Sequence, residues 1–319
     1  MPTGWSSGVG RDGLGLLPVV LSPTLVPALQ PGNPPTFLGP TVMPRTLVSP
    51  TILVFDSGLG GLTVYREILR ARPDATFIYA ADDAGFPYGK LDEERLVARV
   101  VDVVGGLIDT HDPDLVVVAC NTASTIVLPT LRARFTVPFV GTVPAIKPAC
   151  AASDSKLVSV LGTEGTVKRE YTHALIREFA AGCQVTLVGS PNLAGLAERH
   201  LRGESVSDQA IAAEIAPCFV ADGTLRTDTV VLACTHFPLL VDRLAGLSPW
   251  PVRFLDPAPA IARRVVELIG PAADRRPVAA TQAVFTSGRA PVPALAAALK
   301  GFGIGAPASP RFDTPPLSA

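Results

Sequence analysis

Two cysteines of this chain follow almost the same run of residues. The segment DLVVVAC runs from Asp114 to Cys120, and DTVVLAC runs from Asp228 to Cys234. Each apolar run predicts a buried strand, so each cysteine stands at a strand's carboxyl end, next to polar residues that open the following segment. For Cys120, whose following segment reads as a helix, backbone N–H groups and the positive end of the helix dipole favour a thiolate.

One cysteine in such a place has two equally good explanations. Cys120 by itself could be an inert core residue, because cysteine is among the residue types most often buried. Cys234 changes that balance, because Thr235 and His236 follow it and an imidazole is a natural acid–base partner. Two thiols at equivalent strand ends would approach one bound molecule from opposite sides. This arrangement suits an acid and a base that act on opposite faces of one carbon atom.

Other candidate side chains lie in turns. Asp56 and Ser57 open the turn DSGLGG after the first apolar strand, where Asp56 would cap a helix or orient a nearby thiol. The glycine spacing of this turn does not match the dinucleotide fingerprint. The turn Pro87-Tyr88-Gly89 brings an aromatic hydroxyl that could contact a ligand. Glu198, in LAGLAER, reads by default as a surface carboxylate of a helix.

Hydroxyl and amide side chains cluster beside the two cysteines. Asn121 and Thr122 follow Cys120 directly and supply donors for a bound carboxylate. Thr163 and Thr166, in GTEGT, hold the corresponding place after a strand of the second half, and ordinary capping explains them equally well.

Strands alternate with helices along the chain from Thr51 onward. TILVF, ATFIYAAD, DLVVVAC and VPFVGTV read as strands of the first half, and KLVSVLGT, CQVTLVGS and DTVVLAC as strands of the second. The segment SVSDQAIAAEIAPCFVAD reads as one helix capped by Ser205 or Ser207. This alternation predicts an α/β fold of two pseudo-symmetric, doubly wound domains with parallel sheets and an active site in the cleft between them.

The predicted domains are interleaved along the chain. Residues 49–145 and 257–319 form the first domain, and residues 146–256 form the second. Residues 1–48 are dense in proline and glycine and predict a disordered extension. Met43 stands just ahead of the first strand and is an alternative start of the protein, so residues 1–42 are either a flexible tail or an incorrectly assigned beginning.

Composition excludes several classes of protein. The chain of 319 residues is 48% hydrophobic and has a formal net charge of −1, which argues against recognition of nucleic acid or anionic membranes by bulk charge. It has no run of about 18 apolar residues that would span a membrane. The five cysteines are widely spaced, which favours neither a zinc site nor a disulfide framework. We therefore expect reduced thiols, no bound metal and a cytoplasmic location.

A set of motifs resembles the cofactor-independent glutamate racemases of the aspartate/glutamate racemase superfamily. The motifs are FDSGLGGLTV, PYGK, VVACNTAST, PFVGTVPAIKPA, GTEGTVKREY and VLACTHFPLL, and the resemblance is collinear from about Ile52 to Pro259. It departs at Ala84-Gly85-Phe86, where many members carry a more polar segment.

The resemblance implies roles for particular residues. It implies that Cys120 and Cys234 are catalytic thiols supported by Asp56 and His236, and that Glu198 takes part in proton transfer. It places substrate contacts at the two thiols and at Asp56, Ser57, Pro87, Tyr88, Gly89, Asn121, Thr122, Thr163, Thr166, Thr235 and His236. It further implies that Cys120 meets D-glutamate and Cys234 meets L-glutamate.

The resemblance also implies a setting for the protein. Members supply D-glutamate for peptidoglycan, which builds the cell wall and maintains cell shape, and they are often dimers, so we expect a homodimer. No cofactor is expected, because pyridoxal phosphate needs a Schiff-base lysine and none of the five lysines lies in a convincing phosphate site. The alternatives are a related aspartate or hydantoin racemase, and a glutamate-binding or regulatory protein without turnover.

Overall fold

The computed structural model describes residues 46–273 and 281–305. The predicted extension over residues 1–48 therefore lies outside the described residues except for its last three positions. In chain order the strands are β1 (Thr51–Asp56), β2 (Thr76–Ala81), β3 (Leu115–Val118), β4 (Phe139–Gly141), β5 (Leu157–Thr163), β6 (Gln184–Ser190), β7 (Ala221–Asp222), β8 (Leu225–Arg226), β9 (Thr229–Ala233), β10 (Arg253–Leu255) and β11 (Gln282–Phe285).

The helices alternate with these strands. They are α1 (Leu62–Ala71), α2 (Glu93–His111), α3 (Asn121–Arg134), α4 (Ile146–Ala152), α5 (Glu164–Val167), α6 (Glu170–Phe179), α7 (Leu193–Leu201), α8 (Asp208–Ile215), α9 (Val241–Gly246), α10 (Ala258–Ile269) and α11 (Pro293–Gly301), with short 3-10 helices at Tyr88–Lys90, Ala216–Cys218 and Phe237–Leu240. Within the described ranges, no helix combines the length and apolarity needed to cross a membrane.

Five parallel strands form the first sheet, in the order β11-β2-β1-β3-β4. Successive residues of β1 enter opposite cores, because side chains alternate between the two faces of a strand. Ile52 and Val54 pack with residues of α1, α10 and α11, whereas Leu53 and Phe55 pack with residues of α2 and α3. Helices on both faces explain why these strands are apolar throughout.

Four parallel strands form the second sheet, in the order β10-β9-β5-β6. One face packs against residues of α7, α8 and α9, and the other packs against residues of α4 and α6. The predicted α/β class with two parallel sheets is confirmed. Strands β7 and β8 form a separate antiparallel pair.

The chain passes between the sheets twice. It leaves the first sheet after β4 and reaches the second through α4, and it returns through α10 to add β11 at the edge of the first sheet. The predicted boundaries at residues 145/146 and 256/257 fall in these two connections. The division into two domains at those residues stays a prediction.

Asp114 and Asp228, which open the two repeated segments, make equivalent backbone hydrogen bonds in the two halves. The Asp114 N–H donates to the Thr51 carbonyl at 2.9 Å, and the Asp228 N–H donates to the Leu157 carbonyl at 3.3 Å, at the start of the first strand of each sheet. The Asp228 carboxylate also accepts from Ser153 and from two backbone N–H groups. Burial opposes the charge of Asp228, but these hydrogen bonds lower its pKa to about 2.

Several elements differ from the sequence prediction. Helix α8 ends at Ile215 and is followed by a 3-10 turn around Pro217, so the predicted helix does not continue to residue 222. A proline lacks the N–H that a continuing helix needs. Strands β7, β8, β10 and β11 were not predicted, because two to four residues are too few to show periodicity. Pairing with β9 makes β10 a strand, and pairing with β2 makes β11 one.

A buried arginine ties the start of the described chain to the first sheet's helices. Arg72 at the end of α1 forms a two-point ion pair with Asp74, with distances of 2.9 and 2.8 Å. The same guanidinium donates to the carbonyl oxygens of Leu47, Ile269 and Gly270. The side chain is wholly buried, so each of these hydrogen bonds replaces one that water would otherwise supply.

We expect Arg72→Ala to lower the free energy of unfolding by about 3–5 kcal/mol, because it leaves a buried carboxylate without its partner. Urea denaturation at neutral pH measures this. The control is Arg70→Ala, which removes an exposed ion pair with Glu67 and should cost less than about 1 kcal/mol.

The difference in free energy of unfolding between wild type and Arg72→Ala should become smaller in acid. The hydrogen bond from Arg72 lowers the pKa of Asp74. The stability that this shift contributes is present above the unfolded pKa and is lost as the pH falls through the lower folded pKa. A difference that stayed constant down to strongly acidic pH would contradict the assignment.

Candidate active site

The two candidate cysteines lie at equivalent positions of the two sheets. In the first sheet, β1 has β2 on one side and β3 on the other, and Cys120 follows β3. In the second sheet, β5 has β6 on one side and β9 on the other, and Cys234 follows β9. Each thiol therefore stands where the strand order reverses, which is where open α/β sheets bind ligands.

Both thiols line one cavity of about 20 Å³. Its walls are Ser57, Phe86, Pro87, Tyr88, Gly89, Cys120, Asn121, Thr122, Thr163, Ala194, Cys234, Thr235 and His236. Most of the predicted substrate contacts are among them. Asp56 and Thr166 are fully buried behind this wall rather than on it. The cavity has room for about one water molecule.

Cys120 caps α3 and is nearly buried. Its thiol lies 3.5 Å from the Ser57 hydroxyl oxygen. Burial and the charge of Asp56 raise the pKa of Cys120 to about 12, although the Ala123 N–H and Ser57 act in the opposite direction. The sequence predicted a thiolate stabilised by the helix N-terminus. Desolvation is the larger effect and favours the thiol form of Cys120.

Cys234 has a histidine beside it instead of a carboxylate. Its sulfur lies 3.8 Å from Nδ1 of His236, and Nε2 of that ring lies 2.9 Å from Oε1 of Glu198. Burial disfavours the imidazolium, but contacts with Cys234 and Glu198 outweigh it and raise the pKa of His236 well above its ordinary value. Burial likewise opposes the charge of Glu198, yet His236 lowers the pKa of this carboxyl.

Glu198 is buried rather than exposed, which corrects the default interpretation of a surface helix carboxylate. Besides His236, its Oε1 accepts the Leu59 N–H at 2.6 Å, and Arg202 lies 3.3 Å from Oε2. Glu198 thus joins α7, the turn after β1 and the histidine after β9. It does not line the cavity, so it acts on the site through His236.

Asp56 makes a second connection between the turns. Its carboxylate accepts the Gly58 N–H at 3.1 Å and the Thr235 hydroxyl at 3.3 Å. Thr235 follows a strand of the second sheet, whereas Asp56 ends a strand of the first. The turn that carries Asp56 is therefore held against the turn that carries Cys234 and His236.

Polar groups without protein partners face the site beside Cys120. Among the described residues, the amide nitrogen and oxygen of Asn121 are buried and have no hydrogen-bond partner. Next to it, the hydroxyls of Thr122, Thr163 and Thr166 are linked by contacts of 3.0–3.3 Å. Thr166 holds the other two threonines in place, and a bound molecule with a carboxylate would satisfy Asn121.

Sequence reasoning did not identify Phe86 and Ala194 as cavity walls. The Phe86 ring centre lies 5.3 Å from that of His236 and screens the imidazole. Its position next to Pro87 was the available signal. Ala194 carries no chemical signal, and only the packing of α7 places it there.

Comparison with known proteins agrees with this geometry. The family model described as Asp/Glu/Hydantoin racemase matches residues 52–265. A glutamate racemase of Brucella ovis is 53% identical over 268 residues, which cover 83% of this chain and 95% of that protein.

Solved structures have the same fold. Escherichia coli glutamate racemase, in complex with L-glutamate and the activator UDP-MurNAc-Ala, is 43% identical with a TM-score of 0.75, and the match covers 84% of this chain and 99% of that one. A glutamate racemase of Bacillus anthracis is 25% identical with a TM-score of 0.68, over 83% of this chain and 98% of that one. With its two thiols at matched strand ends, the chain belongs to the Asp/Glu/hydantoin racemase family.

Proposed function

We propose that this protein interconverts L- and D-glutamate without a cofactor, using Cys120 and Cys234 as the two proton-transferring groups. The observation that carries the proposal is that both thiols line one cavity from the carboxyl edges of two different sheets. The relative in complex with L-glutamate, at 43% identity, supports glutamate as the substrate.

Neutral donors would hold the substrate. The cavity wall has no lysine or arginine, so carboxylates are bound by hydroxyl and amide groups. Asn121, Thr122 and Thr235 lie next to the two thiols, where they can hold the α-carboxylate and stabilise the charge that develops on it as the α-proton leaves. The unpartnered amide of Asn121 is prepared for such a contact.

Each turnover moves two protons. In one direction, the thiol proton of Cys120 passes to solvent as the substrate enters, and the resulting thiolate removes the α-proton from one face of the substrate. Cys234 then donates its thiol proton to the opposite face of the carbanion. The Cys234 thiolate that remains is stabilised by the protonated imidazole of His236, and it takes a proton back from solvent when the product leaves. The reverse direction exchanges the two roles, with Cys120 acting on D-glutamate and Cys234 on L-glutamate.

The substrate itself helps to form the base. The pKa of Cys120 is raised to about 12 in the free protein, partly by the nearby negative charge of Asp56. The α-ammonium group of an amino acid adds a positive charge to the site and so favours the thiolate. Because the site is buried, this charge is poorly screened and the thiolate is a stronger base than it would be in water.

The walls must separate for the substrate to enter. A cavity of about 20 Å³ is far smaller than an amino acid. The facing turns come from different sheets, so a relative movement of the two halves opens the site and closure excludes water.

The cellular role follows from the product. We infer that D-glutamate from this protein serves peptidoglycan synthesis in the cytoplasm, and with it the cell wall and cell shape, and that the protein acts as a homodimer. The alternatives are turnover of aspartate or a hydantoin, and glutamate binding without turnover.

We expect purified protein to exchange the α-hydrogen of glutamate in deuterated water and to invert either enantiomer without added cofactor. Cys120→Ala and Cys234→Ala should each reduce inversion by more than about a hundredfold, because each removes one of the two proton-transferring groups. Proton NMR and chiral chromatography measure exchange and inversion.

Cys218→Ala is the matched control, since Cys218 is buried but lies outside the cavity wall. Inversion at the wild-type rate by either active-site variant would exclude the two-thiol mechanism. Exchange with aspartate but not glutamate would favour the related racemase, and binding of glutamate without exchange would favour a binding protein.

We expect Glu198→Gln to lower the pKa of His236, since the carboxylate that favours the imidazolium is removed. As the pH rises, His236 of the variant loses its proton earlier. The inversion rate of the variant should therefore begin to fall at a lower pH than that of wild type. NMR titration of the imidazole and a pH–rate profile measure both effects. The control is Glu204→Gln, which changes an exposed carboxylate paired with Arg199. It should leave the pKa of His236 and the pH–rate profile unchanged. An unaltered His236 titration in Glu198→Gln would contradict this role.

A further inference from the structure

A fully buried carboxylate stands behind the cavity wall. Asp82 directly follows β2 and is completely inaccessible to solvent. It accepts hydrogen bonds from Nε and Nη2 of Arg99, both at 2.6 Å, and from the Thr286 hydroxyl at 2.5 Å. The Tyr88 hydroxyl is a further donor to the same carboxylate. These donors come from α2, from the end of β11 and from the cavity wall.

The Tyr88 hydroxyl is occupied by this contact. A phenol has one proton to donate, and that proton is directed to Asp82. Burial and the charge of Asp82 raise the pKa of Tyr88 well above its ordinary value, so the phenol stays protonated. The sequence suggested that this hydroxyl could contact a ligand. The contact with Asp82 points it away from that role, and the ring instead anchors the segment that contains Pro87 and Gly89.

The beginning of the same segment is held by the same group of side chains. The Ala84 N–H donates to the Thr286 hydroxyl at 3.2 Å. Gly85 packs directly on the ion pair, since a Cβ at this position would lie 2.6 Å from Oδ2 of Asp82. The chain from Ala84 to Gly89 is thus fixed at its start, in its middle and at Tyr88.

We propose that Asp82, paired with Arg99, is a positioning residue that sets the Phe86–Gly89 wall of the cavity before the substrate arrives. The inference rests on the proposed function, because it names what the wall is prepared for. Asp82 does not line the cavity and acts only through Tyr88 and the backbone that follows. If the wall is already ordered, binding does not have to pay the entropy cost of ordering this segment. Loss of Asp82 should therefore weaken the affinity for substrate.

Asp82→Asn tests the proposal together with Tyr88→Phe. The first variant removes the charge that faces Arg99, and the second removes only the hydroxyl and keeps the ion pair. Both should raise the KM for each enantiomer by about tenfold, with a smaller change in kcat, because this wall carries neither of the two proton-transferring thiols. If Asp82→Asn does not fold, Tyr88→Phe still decides the question.

Asp83→Asn is the matched control. The neighbouring Asp83 carboxylate accepts from the N–H and hydroxyl of Ser287 and, at 3.5 Å, from the Thr286 hydroxyl, but it has no contact with Tyr88 or Arg99 among the hydrogen bonds of the described residues. The Asp83→Asn variant should leave KM within about twofold of wild type. An equal rise in KM for Asp82→Asn and Asp83→Asn, or a wild-type KM for folded Tyr88→Phe, would overturn the proposal.

Hydrogen exchange of the free protein separates this inference from the proposed function. Amides of residues 84–91 should exchange faster in Asp82→Asn and Tyr88→Phe than in wild type and Asp83→Asn, whichever substrate the protein uses. Unchanged exchange in both variants would show that Asp82 does not hold the segment, even if wild type racemises glutamate. If wild type does not racemise glutamate, the proposed function is rejected. The amide hydrogen exchange result would then still decide whether Asp82 holds the segment.

Discussion

The buried charge of Glu198 is the constraint on which the site depends. A carboxylate inside the protein must be matched. Oε1 of Glu198 is matched by the Leu59 N–H and by His236, and Arg202 approaches Oε2. Leu59 belongs to the turn after β1 and His236 to the turn after β9, so Oε1 keeps both partners only when the two turns are in contact. Gly58 allows this approach, because a Cβ there would collide with Glu198. The glycine-rich turn therefore serves close packing beside the cavity.

The same packing gives the two thiols opposite surroundings. Cys120 faces the negative charge of Asp56, which together with burial keeps it protonated. Cys234 faces a histidine that Glu198 helps to keep protonated. One thiol thus lies beside an anion and the other beside a cation. The two halves repeat a fold, but the surroundings of the two thiols differ.

The buried polar groups around the cavity form two layers. Asn121, Thr122, Thr163 and Thr235 line the cavity, and Asp56, Thr166 and Glu198 lie behind the wall. Asp82 and Arg99 extend the same principle to the Phe86–Gly89 wall, where the carboxylate of the ion pair accepts the Tyr88 hydroxyl. Desolvation makes each of these groups costly when unpaired, and this cost is what makes the arrangement rigid.

The sequence by itself determined the longer apolar strands, because β-branched runs such as LVVV require burial on both faces, and it singled out the two cysteines, because the run before each is repeated. It also located most of the cavity wall, since strand-end turns of a parallel sheet share one edge. Only the tertiary structure decided which turns touch. It made Glu198 a partner of His236, occupied the hydroxyl of Tyr88, brought in β11 from the tail and raised the pKa of Cys120. These outcomes depend on contacts between residues far apart in the chain and on desolvation, which no local pattern of residues encodes.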